Sequence, residues 1–173
     1  CYASCNLSNV DKNAQMMIPM VVIAHIYGHL PLFRSGQLNL ISQTMATEQQ
    51  ILNNEQNKRT MEAAGRILGF LAHHIEQASN ASLFAKADYQ HRAVMFWAML
   101  HGSLMINNIR WLRVNSTAKT PCGDIARNAL AGWGADPDTL DKAEKLVFEA
   151  LTKEEMKRIF EEAQQVVVDH SMK

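Results

Sequence analysis

His25 and His29 stand four residues apart in a segment whose apolar residues recur at helical spacing. That spacing puts both imidazoles on one helix face, as in helices that present two metal ligands. No Glu lies between them, Leu30-Pro31 crowds His29, and no Cys or Asp cluster follows to complete a coordination sphere. Two imidazoles near a helix C-terminus are also favoured by the helix dipole, and this structural role is the preferred reading. His73 and His74 are neighbours, so on a helix they point about 100° apart and cannot share an ion without a third element. Glu76 is placed to pair with His73 instead. The two pairs still define an alternative, a helical-bundle metal or redox protein using His25/His29 and His73/His74.

Other chemistry finds less support. Cys122 sits beside Gly123 at an expected helix start, where the dipole can stabilise a thiolate, yet the sequence supplies no identifiable base. There is no G-x-S-x-G elbow, no G-x-x-x-x-G-K-[ST] loop and no G-x-G-x-x-G turn. Glu154-Glu155 and Glu161-Glu162 alternate with Lys153, Lys157 and Arg158, the pattern of a solvated helix face. No catalytic residue, metal or cofactor is therefore expected, and the chain is read as a non-enzyme.

The chain that carries these residues is 173 long, the length of one domain. Forty-seven per cent hydrophobic residues exclude disorder, and the longest apolar run, Met16–Ala24, is too short to span a bilayer. A net charge of zero gives the chain no hold of its own on a phosphate backbone. Cys1, Cys5 and Cys122 form neither an even disulfide set nor a CxxC pair, which points to a reducing cytoplasm. Because the sequence opens on Cys1, it is read as starting inside a longer gene product, with a processed, lipid-bearing terminus as the alternative.

Ten Met, three Tyr and few β-branched runs favour an all-α fold, a multi-helix bundle of about seven helices. Residues 1–13 are read as an irregular N-terminal segment and residues 14–173 as one helical domain. A first helix over about 14–30 ends at Leu30-Pro31, and a short one follows over 37–46. Thr47 and Gln50 form a capping box for a helix reaching about residue 78, with Met61, Ala64, Leu68, Leu71 and Ile75 as its apolar seam. The next helix, about 86–113, is apolar or small at nearly every position from Ala93 to Ile106, so it must be central or meet a second subunit. Beyond a polar loop at 114–119, Thr120-Pro121, Asp136-Pro137 and Thr152 with Glu155 mark three further helix starts, and Gly132-Trp133-Gly134 a stop.

The string Phe96-Trp97-Ala98-Met99-Leu100-His101-Gly102, with Ala87–Val94 before it, resembles a helix in the C-terminal regulatory domains of the TetR family of transcription regulators. Its W-x-x-x-H-G pattern is Trp97, His101 and Gly102. His29–Arg34 and Gly132–Pro137 are similar to breaks elsewhere in those domains. The resemblance implies a TetR-like effector-binding and dimerisation domain, which takes a small, mostly apolar effector into an inter-helix cavity and forms a homodimer. Phe70, His74, Met95 and Met99, expected on inner faces of the two long helices, are the cavity candidates. Trp97, His101, Gly102, Leu104 and Met105 are the dimer-interface candidates, with Met99, Leu100 and Trp111 adding apolar bulk to that helix. Family members carry a DNA-binding domain ahead of this region, and no helix-turn-helix precedes Met16 here. Contact with DNA is thus expected only through an N-terminal domain absent from this chain.

Overall fold

The computed structural model describes the backbone of residues 11–46, 54–107 and 121–171. Among the described residues there are six helices and no strand: α1 (Lys12–Ala46), α2 (Asn54–Asn80), α3 (Tyr89–Asn107), α4 (Pro121–Gly132), α5 (Pro137–Ala150) and α6 (Lys153–Ser171). The architecture is an all-α bundle. The capping box at Thr47, Trp111, the 114–119 loop and Thr120 lie outside the described residues.

Among the described residues there is one helix fewer than expected, because the elements read at 14–30 and 37–46 are a single helix of 35 residues. α1 runs through both Pro19 and Pro31, although a proline inside a helix costs about 3 kcal/mol or more through its missing N–H and its ring clash. Tertiary packing offsets that cost: α1 touches α2, α3, α4, α5 and α6, and from Ala14 to Pro31 no residue is exposed. Over Ala14–Pro31 α1 is therefore covered on all sides, a place the sequence reading gave to the 86–113 segment.

The remaining elements start and stop for local reasons. Both α2 and α4 end in Schellman turns. In the first, Leu83 N–H donates to Ala78 O and Ser82 N–H to Ser79 O, with Ser82 at φ 62°. In the second, Ala135 N–H donates to Leu130 O and Gly134 N–H to Ala131 O, with Gly134 at φ 116°. The turns lean on each other, since Ala85 N–H donates to Trp133 O at 2.9 Å, and a Cβ on Gly134 would stand 3.5 Å from Leu83 O. Asp136 caps α5, accepting from Thr139 N–H at 2.9 Å and the Thr139 hydroxyl at 3.0 Å, with Pro137 in the first turn. Thr152 accepts from Glu155 N–H at 3.3 Å to open α6.

The core is shared by these helices. Met17 and Met20 of α1, Leu71 and Ile75 of α2, Phe96 and Leu100 of α3, Leu130 of α4 and Leu140 of α5 are all fully or almost fully buried. The α2 seam holds at Leu71 and Ile75, but its first member, Met61, is exposed. No described helix is long and apolar enough to cross a membrane.

Candidate functional site

α3 has two apolar faces of different fate. Ala93, Phe96, Leu100, Ser103 and Leu104 point inward and are buried. Val94, Met95, Ala98 and Ile106 lie on the opposite side and are exposed, with Gly102 and Met105 half-buried beside them. From Ala93 to Asn107 there is no Asp, Glu, Lys or Arg, so this outer stripe is uncharged throughout. A Cβ built on Gly102 meets nothing within 4 Å.

The dimer-interface candidates divide accordingly. Gly102 and Met105 border the outer stripe, whereas Leu104 and His101 are buried within the subunit. Trp97 is half-buried, and its Nε1–H donates to the Tyr27 hydroxyl of α1 at 2.6 Å. The His101 ring stacks on Trp97 with centroids 5.4 Å apart, and its Nδ1 is buried without a hydrogen-bond partner among the described residues. A helix with apolar residues all round hides which side faces its neighbours; the inward turn of Trp97 and Leu104 is settled by α1 and α4.

The four cavity candidates are not brought together in one cavity. Phe70 is 47% exposed and Met95 45% exposed, so neither occupies the inner face expected for it. Met99 is half-buried, and His74 packs edge-on against Phe70 with centroids 4.4 Å apart. His73, on the other flank of α2, lines an open groove of about 500 Å³ with Gly69, Glu76, Asp88 and Tyr89.

A partly open space of about 20 Å³ lies elsewhere, between α1, α4 and α5. Val21, Ala24, Ala126 and Leu130 form apolar walls, and His25, Arg127, Glu144 and Phe148 converge on it. Arg127 Nη1 is 2.7 Å from Asp141 Oδ1 and 3.2 Å from Glu144 Oε2, an ion-pair group that ties α4 to α5. His25 Nε2–H donates to Leu151 O at 3.1 Å, and His29 Nδ1–H donates to His25 O at 2.8 Å. Both imidazoles of the helical pair are thus held by backbone carbonyls, with rings 4.4 Å apart. Among the described residues no group of three or more His, Cys, Asp or Glu is arranged to hold a metal ion.

Cys122 opens α4 yet is buried rather than poised. Its thiol lies 3.1 Å from the Ser103 hydroxyl and 3.7 Å from Leu100 O, and burial pushes its pKa up against the lowering by Ser103. Sequence reasoning missed Tyr27, Arg127, Glu144 and Phe148. No local signal exposes them, since each meets its partners across a helix crossing.

Three imidazoles give the domain a defined response to acid. Burial holds His25, His74 and His101 below the ordinary histidine range, assisted at His25 by His29 and at His74 by His73. The unfolded chain, with pKa near about 6.5, therefore takes up protons first as pH falls, and the linkage removes stability below that value down to the folded pKa values. Thermal unfolding followed by circular dichroism should show a midpoint that falls as the pH drops below about 6.5. In His101→Gln the fall should be shallower, and an unchanged slope in that variant contradicts the assignment for His101.

Comparison of the chain with known protein families, with curated proteins and with solved structures finds no match.

Proposed function

We propose that this chain is a dimerising, effector-binding module of the kind its Trp97-x-x-x-His101-Gly102 string resembles, a TetR-like regulatory domain. The observation that carries the reading is the outer stripe of α3, where Val94, Met95, Ala98, Gly102, Met105 and Ile106 leave an uncharged apolar strip in contact with water. Contiguous exposed apolar surface on a folded domain marks an interaction site. A second copy of the same helix is the partner that fits it: two-fold pairing sets the strip against itself with no charge to bury, and Gly102 lets the helix axes approach. The effector-binding half is what the resemblance implies. An effector acts by binding one arrangement of the helices better than another, shifting their populations and so the spacing of any attached DNA-binding domains.

Gly102→Leu tests this reading. Open space surrounds that position within the subunit, so the monomer fold and helix content should be unchanged. Overpacking of the paired helices should weaken the dimer by about 1–3 kcal/mol, roughly fivefold to 150-fold in dissociation constant. Sedimentation equilibrium at micromolar concentration is the measurement. A native chain that sediments there as a well-folded monomer removes the dimer, and with it the main support for a TetR-like module.

A further inference from the structure

We propose that the open groove between α2 and the start of α3 receives α2 of a second copy of this chain. The two helices cross antiparallel about a two-fold axis, and Lys58 of each copy enters the groove of the other. The inference goes beyond the reading above, since the contact is made by α2 and not by the outer stripe of α3.

The groove, of about 500 Å³, is walled by Gly69, Ala72, His73 and Glu76 on α2 and by residues 87–90 on its other side. Near Gly69 the wall is bare backbone: a Cβ built there, or on Gly65 one turn earlier, meets nothing within 4 Å. Each glycine costs α2 about 1 kcal/mol in helix propensity, and no close approach within the subunit requires either of them. What the pair permits is the close approach of another helix axis from outside.

The charge of the groove selects the side chain that enters it. Glu76 and Asp88 both line it, and the lining includes no Lys or Arg. Asp88 caps α3 by accepting from His91 N–H at 3.0 Å, and the nearby Arg92 is engaged by Ala85 O and the Trp133 ring. The groove therefore presents two carboxylates to a cation from elsewhere.

α2 itself carries that cation at the matching place. Lys58, Glu62, Gly65, Gly69, Ala72 and Glu76 follow at spacings of 4, 3, 4, 3 and 4, which keeps them on one face. Those spacings read the same in both directions about position 67. An antiparallel copy crossing there sets Gly65 against Gly69, and the exposed Lys58 against Glu76. Each charge then lies nine residues, about 13 Å, from the crossing. The same register brings Glu62 beside His73. A parallel pair would oppose Lys58 to Lys58 and Glu76 to Glu76, so charge selects the antiparallel arrangement. Two-fold symmetry makes every one of these contacts twice.

Sedimentation equilibrium of the full chain at neutral pH and low salt tests the assignment. Lys58→Glu and Glu76→Lys should each weaken self-association roughly tenfold, because either one sets like charges opposite each other at both ends of the crossing. The double variant should restore it. Salt at about 1 M, where the Debye length is about 3 Å, should weaken the native chain and the double variant alike. Gly69→Leu should abolish the contact by filling the groove, with thermal stability kept or raised because Leu is the better helix former. Single charge variants that associate like the native chain overturn the proposal, as does a double variant that fails to recover. Gly102→Leu separates this contact from the one on α3. With both contacts present the native chain assembles beyond a dimer, Gly102→Leu leaves a dimer, and Gly69→Leu with Gly102→Leu leaves a monomer. Association lost in Gly102→Leu and unmoved by the charge variants overturns this proposal and keeps the α3 dimer, and the converse pattern keeps the α2 contact alone.

Discussion

Phe96→Ala is expected to remove about 3–5 kcal/mol of folding stability, the range for truncating a fully buried aromatic side chain. Phe96 has no exposed surface, and its ring stands 5.9 Å from that of Trp133 at the end of α4. Trp133 in turn packs edge-on against Phe84 at 5.7 Å and lies 5.2 Å beneath the Arg92 guanidinium. One aromatic group thus joins α3, the turn after α2 and the turn after α4. Removing its innermost ring leaves a cavity in the core that the surrounding structure closes only in part. For a domain with about 5–15 kcal/mol in total, the loss is a large fraction. It should lower the thermal midpoint by roughly 10 °C at this chain length. Urea unfolding measures it, and a loss below about 1 kcal/mol would contradict the burial of Phe96.

Arg127→Ala is expected to cost about 2–3 kcal/mol, below the range for a fully enclosed ion pair because the guanidinium keeps some contact with water. The cost is the buried Glu144 carboxylate left without its cation, more than the loss of an attraction; the exposed Asp141 returns to solvent with little penalty. Adding Glu144→Gln to Arg127→Ala should therefore recover part of the stability, since a neutral amide is less costly to bury. A double-mutant cycle by urea unfolding reads the coupling directly. Strictly additive losses would show that the two side chains do not interact energetically.

What could be read from the sequence were the features whose partners lie within a turn of each other. Asp136-Pro137 and Thr152 with Glu155 start helices because their side-chain oxygens reach N–H groups three residues on. Leu71 and Ile75 face the core because an apolar seam at spacings of three and four has one direction to point. The all-α class and the stop at Gly132-Trp133-Gly134 follow from equally local patterns.

Tertiary structure decided the rest. Pro31 reads as a stop, and α1 passes through it because contacts with five other helices outweigh one missing hydrogen bond. α3 is apolar on both sides, so periodicity could not tell that Trp97 and Leu104 turn inward while Val94 and Met95 remain outside. Met95 missed the interior for the same reason, whereas Phe70 lies on α2 outside the seam of Leu71 and Ile75. The ion pair of Arg127 with Glu144 joins two helices, and the bond from His25 to Leu151 O ties α1 to the residue that follows α5, across 126 positions of chain. A period of 3.6 residues fixes which side chains share a face, but not which face meets which neighbour. That depends on how the helices cross, and the crossings are set by how all the side chains of the bundle pack at once.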